Sequence, residues 1–290
     1  MTASAPAKTV LITGGTDGLG KAAARMLAER GWRVFVSGRS AEKRAQMDAL
    51  ARERKLSIET VEMDVCSDAS VIAAVRAVIA RAGALDALVN NAGVGYVAAV
   101  EDFRMEDLRA QFETNFFGVV RVTQAVLPHM REQRRGRILM ISSVAGLVVP
   151  PTYAAYSGSK FALEGLSNAL RLEVAPFGIQ VVLIEPGYII TSFQQTAADF
   201  TQPYAEKIKS GPYAKIYEGA WAGAKSGRAK AKATPDDFAR VVLRALESSS
   251  PSARYGVTAL ATFAAFARRV FPDWALDAFL RHRFHIPKKV

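Results

Sequence analysis

The chain has 290 residues, half of them apolar, which suits a soluble core in one large domain or two small ones. A single cysteine, Cys66, excludes an internal disulfide framework and predicts a reducing, cytoplasmic setting with Cys66 as a small core residue. The net charge is +11 and uneven: residues 201–290 hold 16 basic and 7 acidic residues, and the first 200 are close to neutral. No interleaved aromatic platform or recognition-helix pattern accompanies that excess, so nucleic acid is not an expected partner.

Met1–Ala7 contains no basic run leading into an apolar core, so no signal peptide is expected. Lys8–Ile12 is read as a short β-branched strand. It enters Thr13-Gly14-Gly15-Thr16-Asp17-Gly18-Leu19-Gly20, and Lys21–Arg30 continues as a helix. Strand, glycine-rich turn and helix form the context in which backbone N–H groups meet a pyrophosphate. Arg33–Val36 is the second strand. Its end carries Ser37 and Arg39 where an NAD-preferring site places an acid. A hydroxyl and a guanidinium suit a 2′-phosphate, which favours NADP(H) over NAD(H).

Leu56–Met63 reads as a strand ending at Asp64-Val65, where a carboxylate could meet an adenine amino group. Ala69–Arg81 is an amphipathic helix, and Leu85–Val89 is a strand that leads to Asn90-Asn91-Ala92-Gly93. This alternation predicts an α/β fold with a doubly wound parallel sheet.

The apolar run Ile138–Ile141 ends at Ser142 and Ser143, and Ser143 stands thirteen residues before Tyr156. Tyr156 and Lys160 are four apart, so on a helix they share a face one turn from each other. An ammonium beside a phenol stabilises the phenolate and lowers its pKa, which makes the pair a candidate acid/base device. Tyr153 has the wrong spacing to Lys160 for that role. His129, His282 and His285 fall in no motif, and no metal-ligand cluster is evident.

After a strand at Ile179–Ile184, residues 192–233 read as a long irregular segment rich in Gly, Pro and aromatics. They form either a substrate lid or a cap on the core. Thr234-Pro235-Asp236-Asp237 starts a capped helix, and Arg254–Val257 is a last strand. In the tail, Phe263, Phe266, Val270, Trp274, Phe279 and Phe284 recur at helical spacing, with four arginines among them and Pro272 between two expected helices. Val257–Ala267 is too short to span a bilayer. The tail packs over the substrate cleft, forms a subunit interface, or makes peripheral contact with a membrane surface.

Taken together, Thr13–Gly20, Asn90–Gly93, Asn115, Ser143, Tyr156, Lys160 and Pro186-Gly187 with Thr191 resemble the classical branch of the short-chain dehydrogenase/reductase family over residues 8–192. The resemblance implies a Rossmann-like parallel sheet of about seven strands flanked by helices. It implies one domain over residues 1–257, with 192–233 at the substrate, and a helical extension over 258–290 packed on it. Tyr156 would be the catalytic acid, Lys160 would lower its pKa and hold the nicotinamide ribose, Ser143 would polarise the carbonyl, and Asn115 would position a water. Gly14, Gly18 and Gly20 would frame the pyrophosphate, with Thr16, Asp17 and Leu19 of the same turn also at the cofactor. Ser37 and Arg39 would meet the adenosine phosphate, Asp64 and Val65 the adenine, and Asn91, Ala92 and Gly93 the adenine ribose region. Pro186, Gly187, Ile189 and Thr191 would hold the carboxamide. Some NADP-using members carry a basic residue where Asp17 stands.

The segment around Lys160, with Pro176-Phe177-Gly178, is similar to hydroxysteroid and retinol dehydrogenases. It points to a hydrophobic small-molecule substrate and a homodimer or homotetramer. The expectation is thus an NADP(H)-dependent oxidoreductase interconverting a ketone or aldehyde and an alcohol. The alternative is a non-catalytic NADP(H) sensor or scaffold that binds a partner through its basic C-terminal third.

Overall fold

The computed structural model describes residues 7–229 and 231–287. Lys230 of the basic run, Lys288 and Lys289 of the tail, and Met1–Pro6 lie outside the described residues. In chain order the first two thirds contain β1 (Thr9–Ile12), α1 (Gly18–Glu29), β2 (Arg33–Gly38), α2 (Ala41–Glu53), β3 (Ile58–Glu62), α3 (Asp68–Ala82), β4 (Ala87–Asn90), α4 (Met105–Phe112), α5 (Gly118–Glu132), β5 (Gly136–Ile141), α6 (Ala154–Val174) and β6 (Ile179–Glu185). Then follow α7 (Phe193–Thr201), α8 (Ala205–Ser210), α9 (Ala214–Ala229), α10 (Pro235–Glu247), β7 (Arg254–Gly256), α11 (Ala259–Val270) and α12 (Asp273–Arg283).

The seven strands form one parallel sheet in the order β3-β2-β1-β4-β5-β6-β7. Successive strand side chains point to opposite faces, and both faces of the central strands are covered, so β1, β4 and most of β6 are apolar and buried, while the edge strands β3 and β7 carry charged residues. On one face Val10, Ile12, Val34, Val36 and Ile184 pack with Leu27 of α1 and Phe238 and Val242 of α10. On the other, Leu11, Phe35, Leu88 and Met140 pack with Val75 of α3, Val122 of α5 and Leu163 of α6. The strand order reverses between β1 and β4, and at that point the carboxyl ends of the strands leave a crevice.

Residues 192–233 differ from the irregular segment expected. They contain three helices, α7 to α9, with a 3₁₀ turn at Gln202–Tyr204 and a break at Gly211. Tyr204, Ile208 and Tyr217 bury themselves against Ala98 and Ala99, a small satellite core that no local pattern reveals. The tail forms α11 and α12, with Pro272 extended between them. A side chain at Gly223 would collide with the Phe284 ring, so the absence of one lets α9 and the end of α12 approach closely. No helix among the described residues is long and apolar enough to cross a membrane.

Candidate active site

The turn after β1 is shaped by two left-handed glycines, Gly14 at φ 61° and Gly18 at φ 52°. Asp17 caps α1, accepting from the Gly18 N–H at 2.7 Å. It also takes the Lys43 ammonium at 2.6 Å. Burial works to raise the Asp17 carboxyl, but Lys43, the Gly18 amide and Ser192 together hold it below its ordinary value. Gly20 leaves no room for a side chain: a Cβ there would stand 2.6 Å from Asn91 Nδ2 and 2.7 Å from the Gly14 carbonyl oxygen.

The end of β4 is tied to this turn. Asn91 Nδ2 donates to the Thr13 carbonyl at 2.9 Å and the Gly14 carbonyl at 3.1 Å, and Thr13 Oγ1 accepts from the backbone of Asn91 and Ala92 at 2.9 and 3.0 Å. The next carboxyl end along the sheet, that of β5, brings Ser142 and Ser143 to the same side. Ser143 Oγ accepts from the Ala145 N–H at 3.1 Å, and Ser142 Oγ is buried without a protein partner.

Tyr156 lies in the first turn of α6. Tyr153 meets its ring edge-on at a centroid distance of 6.5 Å, and Phe193 of α7 lies at 5.6 Å. Burial pushes the phenol up to about 12. A hydrogen bond with Ser143 works against that shift, and Tyr153 adds to it. Lys160, one turn on, is buried, with Nζ 5.7 Å from the Tyr156 ring centroid and donating to the Ile141 carbonyl at 2.8 Å. Burial lowers its ammonium to about 8, against the pull of Glu164. The phenol thus stands above its ordinary value, with burial the largest influence, and the Lys160 ammonium turns to the Ile141 carbonyl.

One cleft of about 1550 Å³ runs over these groups, larger than a typical small-ligand pocket and roomy enough for a dinucleotide beside a substrate. Of the residues singled out from the sequence, Gly14, Thr16, Asp17, Gly18, Leu19, Arg39, Asp64, Val65, Asn91, Ala92 and Gly93 line it. So do Ser143, Tyr156, Lys160, Pro186, Gly187, Ile189 and Thr191.

Three of the singled-out residues are not on the cleft wall. Gly20 stands behind Asn91. Ser37 is a correction to the sequence reading: strand parity turns its side chain into the core, where Oγ meets Met63 Sδ at 3.6 Å, so it does not face the adenosine end. Asn115, in a π-helical turn at Glu113–Phe117, is fully buried. Its Oδ1 accepts from the Val94 N–H at 2.8 Å. Its Nδ2 donates to the Val94 carbonyl at 3.0 Å and to Ser159 Oγ at 3.2 Å. The side-chain amide thus clamps the Val94 loop to α6 instead of presenting itself to a water in the cleft.

Sequence reasoning missed Lys43. With Arg39 and Ser40 it lines the cleft beyond β2, and its four-residue spacing from Arg39 was the available signal. The apolar wall, to which Phe193, Trp221, Phe263, Phe271 and Phe279 contribute, comes from the two segments whose aromatics the sequence offered for a place over the cleft, residues 192–233 and the tail. Among the described residues no three His, Cys, Asp or Glu side chains gather as a metal site requires. The groups present fit a dinucleotide instead. A glycine cradle with no space for side chains stands at the start of α1, and two cations, Arg39 and Lys43, stand beside the end of a strand that carries no acid.

Comparison with known proteins agrees with this geometry. The short chain dehydrogenase family model matches residues 8–202. A 3-ketodihydrosphingosine reductase of Bacteroides thetaiotaomicron is 44% identical over 184 residues, covering 63% of this chain and 65% of the reductase. Retinol dehydrogenase 8 of Homo sapiens is 40% identical over 196 residues, covering 66% of this chain and 62% of that protein. The chain thus matches just under two thirds of the length of each relative. A solved short-chain dehydrogenase from Streptomyces avermitilis superposes with a TM-score of 0.75 at 30% identity, covering 98% of this chain and 100% of that one. With the parallel sheet, the glycine turn and the serine, tyrosine and lysine on one cleft already in place, the family match over most of the chain completes the assignment: this protein belongs to the short-chain dehydrogenase family, in its classical branch.

Proposed function

We propose that the protein is an NADP(H)-dependent oxidoreductase that interconverts a ketone or aldehyde and an alcohol on a hydrophobic, lipid-, steroid- or retinoid-like molecule. The observation that carries this reading is the position of Tyr156. It lines one cleft with Ser143 and Lys160, a cleft that the glycine turn and the apolar side chains of α7, α9 and the tail line as well. A nicotinamide, when bound, supplies or accepts the hydride. Everything else is the work of the chain's own groups. Tyr156, pushed up to about 12, keeps its proton at neutral pH and gives it to the carbonyl oxygen during reduction. Ser143 donates to the same oxygen and fixes its place. Lys160 keeps most of its charge at neutral pH, and that charge favours the phenolate left behind and a ribose hydroxyl.

Asp17 and the start of α1, with Gly14, Thr16, Gly18 and Leu19, would hold the pyrophosphate side of the cofactor. Asp64, Val65, Asn91, Ala92 and Gly93 would hold the adenosine, and Pro186, Gly187, Ile189 and Thr191 the carboxamide. Arg39 and Lys43 support the preference for a 2′-phosphate, in place of the Ser37 and Arg39 pair. The apolar wall supports a hydrophobic substrate, with α7 to α9 as its lid. The two curated relatives are named for reactions on a ketosphingoid and a retinoid, both lipid-like.

The test is NADPH oxidation against long-chain, steroid and retinoid carbonyls, with NADH and Tyr156→Phe in parallel. Turnover with NADPH should fall by about 10²–10⁴-fold in the variant while NADPH still binds. Turnover that survives the substitution would remove Tyr156 as the acid. A preference for NADH would remove the cofactor assignment.

A further inference from the structure

Helix α11 is inside out for a surface helix. It buries its alanines, Ala261, Ala264 and Ala267, and leaves its large apolar residues, Leu260, Phe263, Phe266 and Val270, more than half exposed. Phe266 is 57% exposed, and Trp274, at the start of α12, is 75% exposed. Arg269 and Arg281 are exposed on the same two helices. The described part of the tail holds only two acids, Asp273 and Asp277, and Asp273 is already taken by Arg268 at 2.6 Å. The patch is continuous with the cleft, since Leu260, Phe263, Phe271 and Phe279 belong to both.

We propose that this face docks on an anionic lipid surface, so that the cleft mouth opens onto the bilayer and takes its carbonyl substrate from it. Large apolar groups flanked by arginines suit the boundary between acyl chains and anionic headgroups. A second copy is a poorer occupant. A two-fold interface would set the same arginine-rich, acid-poor patch against itself. The docking stands on the surface alone, and the delivery rests on the reading of a hydrophobic substrate given above.

The experiment is co-sedimentation of the full chain with phosphatidylcholine vesicles, with and without phosphatidylglycerol. The protein should pellet with the anionic vesicles and be released as salt rises. Replacing Arg269 and Arg281 with Gln should weaken partitioning about fivefold per arginine. The double variant Phe266→Ser, Trp274→Ser should weaken it about tenfold or more. Brominated lipid should quench tryptophan emission less in Trp274→Phe than in the parent. None of these four residues lines the cleft, so turnover of a water-soluble carbonyl should be unchanged in every variant. The docking is overturned if the parent stays in the supernatant, or if the double variant partitions like the parent. It is also overturned if sedimentation shows the double variant splitting a dimer of the parent, because the face would then be a contact between copies. Vesicle binding without turnover of any hydrophobic carbonyl would support the docking and overturn the delivery and the substrate reading together.

Discussion

At the scale of single residues, the spacing of Tyr156 and Lys160 was readable because one helical turn fixes it. Their electrostatics were not readable, because burial depends on what the rest of the chain packs around them. Unfolded Lys160 titrates near 10.5 and folded Lys160 at about 8. Between those values the unfolded chain binds more protons, so the fold gains stability as pH rises, and the cost of the buried ammonium is fully present below the folded value. Against Lys160→Met, which lacks this titration, the wild type should gain about 2–3 kcal/mol between about pH 7 and about pH 10. Denaturant melts at both pH values check it. Unchanged relative stability would show that the ammonium is solvated in the fold. Arg39 and Lys43 give a second prediction. Replacing both with Ala should weaken NADPH by about 10–100-fold and leave NADH nearly unaffected, because a charge-assisted contact to a phosphate is worth about 1.5–3 kcal/mol. Cofactor titration of the variant against wild type measures it.

At the scale of elements, the regular pieces were legible and the lid was not. Strand parity, the glycine turn and the capping box of Thr234 and Asp237 on α10 are local patterns, and they appear where local patterns place them. Helices α7 to α9, the proposed lid, owe their order to distant partners. The Tyr217 hydroxyl donates to Asp102 Oδ2 at 2.8 Å and accepts from the Ala99 N–H at 2.7 Å, and the Tyr204 hydroxyl donates to Asp107 Oδ2 at 2.5 Å. A run rich in Gly, Pro and aromatics gives no hint of these contacts. Tyr217→Phe leaves a buried amide and a buried carboxylate short of a partner. It should cost about 1–3 kcal/mol and raise KM for bulky substrates more than it lowers kcat. Thermal melts and steady-state kinetics test the two parts separately, and a variant with wild-type stability would show that water replaces the hydroxyl.

At the scale of the whole molecule, Arg254 joins three elements. Its guanidinium, on β7, pairs with Glu164 of α6 and with Glu185 of β6, the latter at 2.6 Å. Glu164 follows Lys160 by one turn, and Glu185 precedes the Pro186-Gly187 wall of the cleft, so the cluster ties the far sheet edge to the site. Arg254→Met strands two buried carboxylates. It should cost about 3–5 kcal/mol, because breaking a buried pair leaves an uncompensated charge. Chemical denaturation measures the loss. A variant within about 0.5 kcal/mol of wild type would mean the carboxylates simply take up protons or water.

Sequence by itself determined the alternation of strands and helices, the dinucleotide turn, and the one-turn spacing of Tyr156 and Lys160, while the place of Ser143 beside them came with the family resemblance. The first three rest on a period of two or 3.6 residues, or on a turn that neighbours decide. The tertiary structure alone decided that Ser37 points inward, that Asn115 is a clamp, that Lys160 turns to Ile141, that residues 192–233 are helical, and that α11 shows its phenylalanines outward. All of these depend on contacts between residues far apart in the chain, such as the 118 that separate Ala99 from Tyr217, and no local pattern carries information about them.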